Sequence, residues 1–210
     1  MRFNKIVFAT ILLITSLQSV SQIKVACIGD SITEGSGLTT DQTYPTQLQK
    51  LMKSPYEVRN YGHAGSSLLD GTRMSYRDKS KYKTAMDWAP DVIIIKLGTN
   101  DSKEEFWAGR QRFYEDYISL INSFKSLPNK PKIYICYPLP SFKNRFGIRE
   151  EIVKKEIIPI VKQVAKETEV SFIDVYTPFY SKSHLLLDGV HPNATGAEFL
   201  AMEIFKAIGK

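Results

Sequence analysis

Five strand-length runs recur along the chain at 24–28, 57–61, 92–97, 132–137 and 170–175, separated by longer stretches with a different period. The run Val92-Ile-Ile-Ile-Lys-Leu97 has no alternation of apolar and polar positions, which is the pattern of a parallel strand buried on both faces. Between the runs, apolar residues return at helical spacing: Phe113, Tyr117, Ile121 and Phe124; Val153, Ile157, Ile160 and Val164; and Ala197, Leu200, Ala201, Ile204 and Phe205. These stripes read as core faces. Pro159 should start a new turn or kink the helix that contains it. Strand and helix alternate without repeats or a linker, so the pattern predicts one α/β domain whose parallel sheet is covered on both sides.

In such sheets ligands bind at the carboxyl ends of strands, and four strand-end or loop segments here carry suitable chemistry. Gly29-Asp30-Ser31-Ile32 follows the first run directly, with Gly29 permitting a tight turn that presents Ser31. Ser31-Ile-Thr-Glu34 also fits a capping box, although Gly35-Ser36-Gly37 would stop any helix begun there within two turns. Far downstream, Asp188-Gly-Val-His191 offers an imidazole and a carboxylate three residues apart. Pro192 keeps His191 extended ahead of a helix that Pro192 and Asn193 can open. A serine, a histidine and an orienting aspartate are the parts of a serine hydrolase. The same loop also reads as an Asp-Gly turn before a helix. His63, in a short glycine-rich loop, and His184, in a Ser/Lys-rich stretch, are weaker partners for Ser31.

Acyl transfer needs donors for the developing oxyanion. The run ending at Leu97 leads into Gly98-Thr99-Asn100-Asp101, where Asn100 can give a side-chain N–H. The run ending at Tyr61 leads into Gly62-His-Ala-Gly65, where a backbone N–H at Gly65 can approach a substrate. Each segment alone reads equally as an ordinary loop.

Taken together, Gly29-Asp-Ser31, Asn60-x-Gly62-x-x-Gly65, Gly98-Thr-Asn100-Asp101 and Asp188-Gly-Val-His191 resemble, in order, the four blocks of the SGNH subfamily of GDSL esterases and lipases. The resemblance spans most of the chain and departs in flavour at Thr99, where many members carry glycine. It implies a flavodoxin-like three-layer α/β/α sandwich with a five-stranded parallel sheet in the order 2-1-3-4-5. It also implies Ser31 as nucleophile, His191 as base oriented by Asp188, and an oxyanion hole from the Ser31 and Gly65 amides and the Asn100 side chain, with no metal or organic cofactor. No Gly-x-Ser-x-Gly elbow is present, which argues against the α/β-hydrolase fold.

Composition changes the picture at the amino terminus. Arg2 and Lys5 precede an apolar stretch at 6–17, and Ser19-Val-Ser21 offers small residues for cleavage, so residues 1–21 read as a secretory signal peptide and 22–210 as the hydrolase domain. The apolar stretch is short for a membrane span, so no stable membrane insertion is expected after cleavage, and the product is expected to be periplasmic or secreted. Removing 1–21 takes two positive charges and lowers the formal net charge from +6 to +4, that is 26 Lys and Arg against 22 Asp and Glu. The remaining basic residues are scattered, and nucleic acid is not an expected partner. With the strand order the family implies, one strand separates Cys27 from Cys136, so both are expected to be buried free thiols.

The partner is expected to be a small-molecule or glycan ester. Secretion, the lack of a long apolar lid, and the string Gly98-Thr-Asn-Asp-Ser-Lys103 with Trp107 nearby are similar to carbohydrate acetylesterases of the family, of sialate and plant-polysaccharide types. Core packing is the competing role for Trp107. A lysophospholipase or thioesterase, and a non-catalytic glycan-binding protein on the same fold, are the alternatives.

Overall fold

The computed structural model describes residues 21–209 apart from Asn144; the expected signal segment 1–21 lies outside it except for its last residue. Strands β1 (Ile23–Gly29), β2 (Tyr56–Gly62), β3 (Val92–Lys96), β4 (Lys132–Cys136) and β5 (Ser171–Ile173) form one sheet in the order β2-β1-β3-β4-β5, and every pairing is parallel. The order and direction match the sequence expectation. β5 is shorter than the run at 170–175 because it pairs only with β4, through Ser171, Phe172 and Ile173.

Alternation along the strands splits the core in two. Ala26, Ile28, Ile93, Ile95, Ile133 and Ile135 point into one layer, with helices α3 (Ser80–Trp88), α5 (Phe113–Lys125) and α7 (Ile158–Glu167). Val25, Cys27, Ile94, Tyr134 and Cys136 point into the other, with α2 (Tyr44–Met52) and α9 (Ala194–Ile208). The two-sided burial explains the unbroken apolar runs. Each fully buried Ile in them stabilises the fold by about 1.5–3 kcal/mol. Cys27 and Cys136 are free and buried, with β3 between their strands. Burial pushes the Cys136 thiol up to about 12 and Cys27 well above the usual thiol range, which disfavours the thiolate at both.

The helical stripe at 153–164 is broken. A wide π-turn at Val153–Ile157 separates a short helix, α6 (Glu150–Ile152), from α7. Pro159 has no N–H for the turn before it, which fits a locally widened ladder there. The extra residue in that turn rotates the remainder of the helix, so Val161 rather than Ile160 is fully buried.

Candidate active site

The chain after β1 folds as a tight elbow. Asp30, not Ser31, caps the four-residue helix α1 (Ser31–Glu34): its carboxylate accepts the Ile32 N–H at 3.0 Å. This corrects the capping-box reading and leaves the Ser31 hydroxyl free of the cap. Gly35 ends α1 in a left-handed conformation. Gly62 lies against α1 so closely that a Cβ there would sit 2.1 Å from the Glu34 nitrogen, and the His63 N–H donates to the Gly29 carbonyl at 3.0 Å. The elbow is thereby held against the end of β2.

Ser31 Oγ lies 2.9 Å from His191 Nε2, and His191 Nδ1 lies 2.8 Å from Asp188 Oδ2. The other Asp188 oxygen accepts the Val190 and His191 amides at 2.9 and 2.8 Å. Burial works to raise the Asp188 carboxyl, but these amides and the imidazole outweigh it and hold it below the ordinary carboxylate range. The Asp-Gly turn is real as well: Gly189 is left-handed and donates to the Leu186 carbonyl at 3.0 Å. Turn and orienting carboxylate are therefore one device. Asn193 caps α9 through the Gly196 N–H, so His191 stands just ahead of the helix as expected. His184 is exposed, and the His63 ring has its hydrogen bond among the described residues with the Ser66 hydroxyl, at 3.2 Å.

Asn100, buried at the end of β3, donates through Nδ2 to the Ser66 carbonyl at 3.0 Å, one residue beyond Gly65. An amide carries two N–H donors, so one remains for a substrate oxygen. Gly65 adopts φ +77°, a left-handed turn that a larger residue would strain, and a Cβ there would press on Met74. Ser31, Gly65, Asn100, Asp188 and His191 are thus gathered at the carboxyl edge of the sheet, with a direct hydrogen bond linking the serine and histidine segments. Trp107 is not among them. It is in the core, its ring edge-on to Phe113 and its Nε1 donating to Glu156 Oε2 at 3.0 Å.

Three further residues support this edge. Asp101 is fully buried and its two oxygens accept the Leu68 and Leu69 amides at 2.9 Å each, which ties the Asn100 loop to the segment after Gly65. Lys96 and Asp30 are fully buried with Nζ and Oδ1 3.8 Å apart, so the charge that caps the serine elbow is neutralised from the neighbouring strand. Taking both charges out of water costs several kcal/mol per ion, and loss of either partner would strand the other. A lone lysine inside Ile-Ile-Ile-Lys-Leu signals that a buried charge needs a partner, but not that the partner is Asp30. Phe146, edge-on to the His191 ring with centroids 5.4 Å apart, had no such signal in its loop.

Asp101 gives a pH prediction. Burial pushes its carboxyl from 3.8 to about 6, against the pull of the two amides. The protonated form therefore favours the folded state, a contribution complete below pH ~4 and lost as pH rises through about 6. Relative to wild type, Asp101→Asn should gain on the order of 3 kcal/mol between pH 4 and pH 7.5, because an amide pays no ionisation penalty. Urea unfolding at the two pH values measures this, and a constant difference between the proteins would contradict it.

A family sequence model, the GDSL-like lipase/acylhydrolase family, matches residues 27–199. The chain belongs to this family. An acetylxylan esterase of Xylanibacter ruminicola is 35% identical over 206 residues, covering 89% of this chain but 43% of that protein. This GDSL chain therefore spans less than half the length of that relative. The crystal structure of the acetyl xylan esterase AlAXEase superposes with a TM-score of 0.71 at 22% identity, covering 89% of this chain and all of that one. Est24, a carbohydrate acetylesterase from Sinorhizobium meliloti, gives 0.70 at 21%, covering 90% of this chain and 99% of that one. At these identities the two structures establish the GDSL fold alone.

Proposed function

We propose that the protein is a serine esterase that removes acetyl groups from carbohydrate. The observation that carries this reading is the hydrogen-bonded chain from Ser31 through His191 to Asp188, beside the Asn100 amide. In the proposed reaction His191 Nε2 takes the Ser31 proton as Oγ attacks the ester carbonyl. The Ser31 and Gly65 amides and the free Asn100 N–H hold the oxyanion. On collapse the ester C–O bond breaks and His191 returns the proton to the departing sugar hydroxyl. Water, deprotonated by the same imidazole, then releases acetate and restores Ser31. Asp188 stays ionised throughout and keeps the Nδ1 proton in place.

The acetylxylan esterase relative supports acetate on a polysaccharide as the substrate class. The charged and apolar segments at 1–21 support export, and among the described residues no helix is long and apolar enough to cross a membrane.

Two outcomes test the reading. Specificity constants for p-nitrophenyl esters should fall steeply from acetyl to butyryl to octanoyl, since an overlong acyl chain draws the carbonyl out of the oxyanion hole. Octanoyl hydrolysis at or above the acetyl rate would favour a lysophospholipase or thioesterase instead. Asn100→Ala should lower kcat by roughly 10²- to 10³-fold, about 2.7–4 kcal/mol, with a smaller change in KM. Unchanged turnover would reduce Asn100 to a turn residue.

A further inference from the structure

Beside the catalytic edge, a groove of about 730 Å³ opens between α4 (Glu104–Trp107) and the 146–151 segment, lined by Lys103, Glu105, Phe146, Ile148, Arg149 and Glu151 among others. We propose that this groove binds the alcohol half of the ester as a neutral pyranose of a glycan chain, with Phe146 as the platform for its ring. The inference rests on the esterase reading above.

Position comes first. His191 Nε2 is the atom that would hand its proton to the leaving alcohol, so the alcohol half of the ester must lie against that imidazole. Phe146 packs edge-on to the same ring, at an interplanar angle of 67°, and is 53% exposed. A large apolar side chain left half in water against the imidazole of the site is out of place unless something covers it.

The backbone holds it there. Phe146 sits at φ 57°, ψ 20°, an uncommon left-handed conformation for a bulky residue. The loop is anchored close by: the Arg149 N–H donates to Ser102 Oγ at 3.1 Å and its Nε to the Ser102 carbonyl at 2.6 Å, while the Glu150 carboxylate accepts the Ser141 N–H at 2.6 Å. The Arg145 guanidinium lies 5.3 Å from the Phe146 ring centre. The side chain is thus presented by a loop tied to the Asn100 segment, which shares the catalytic edge.

Chemistry then selects the ligand. The groove mixes signs, with Lys103 and Arg149 lining it together with Glu104, Glu105 and Glu151, so it suits neither a polyanionic glycan nor an acyl chain. It offers donors and acceptors in quantity around one aromatic platform. A pyranose matches both features, with C–H bonds for the negative face of the ring and hydroxyls for the charged rim. The volume is within the roughly 300–1,000 Å³ of small-ligand sites.

The test compares wild type, Phe146→Ala and Phe146→Trp on two substrates: acetylated xylo-oligosaccharides, and ethyl acetate, whose alcohol is too small to reach the groove. Phe146→Ala should lower the ratio of specificity constants, oligosaccharide over ethyl acetate, at least tenfold and mainly through KM, and Phe146→Trp should restore it. A parallel fall on both substrates would overturn the proposal, because Phe146 would then act only through His191. An unchanged ratio would overturn it too. A wild-type protein that cleaves ethyl acetate but no acetylated glycan would remove the carbohydrate reading itself, an outcome visible before any variant is made.

Discussion

Ser31→Ala should lower kcat for acetyl-ester hydrolysis by roughly 10⁴- to 10⁶-fold without unfolding the protein, the loss typical when a triad nucleophile is removed. The fold should survive because the hydroxyl's side-chain hydrogen bond is to His191, while the cap of α1 is supplied by Asp30. Residual turnover would come from the oxyanion donors acting on a bound ester with water as nucleophile. Circular dichroism together with steady-state rates on p-nitrophenyl acetate checks both halves. A variant that keeps more than about a hundredth of wild-type turnover would remove Ser31 from the mechanism, since each decade is worth about 1.36 kcal/mol and two decades is far below a nucleophile's share.

The second large effect is at Asp188. Asp188→Asn is nearly isosteric, and its side-chain oxygen can still accept the Val190 and His191 amides that Oδ1 accepts now. Its NH₂ would instead face His191 Nδ1, where a carboxylate oxygen now lies at 2.8 Å. Facing a donor, Nδ1 becomes the acceptor and the ring proton moves to Nε2, the nitrogen that must receive the Ser31 proton. The expected loss in kcat is about 10⁴-fold, with little change in thermal stability or KM. A loss within tenfold would mean that Asp188 serves only as the turn before α9.

Much of this was legible in the chain. The 92–97 run announced a strand buried on both faces, and β3 with its neighbours is buried so. The strand-end strings pointed to Ser31 and Asn100 because a parallel sheet collects its carboxyl ends at one edge, whereas His191, in the loop before α9, was singled out by Asp188 three residues earlier and by Pro192 after it. What stayed hidden depended on contacts between distant segments. Nothing near Asp30 indicates that Lys96 lies beside it, since their proximity is set by the parallel register of β1 with β3. Asp101 looked like the last letter of a motif, whereas its carboxylate clamps a segment more than thirty positions earlier. The capping box at Ser31–Glu34 misled because Asp30 competes for the same helix end, and the carboxylate wins the Ile32 N–H. Trp107 could be placed on neither side of the surface by spacing, because α4 is a single turn whose buried face is set by Phe113.

The central claim is that Ser31 carries the acyl group. Treating the protein with a serine-directed fluorophosphonate and mapping the adduct by peptide mass spectrometry tests it most directly. The account predicts one stoichiometric label on Ser31, loss of esterase activity in step with labelling, and no label in His191→Ala, where the hydroxyl has no base. Activity lost with the label on another residue, or retained in full with Ser31 modified, would contradict it.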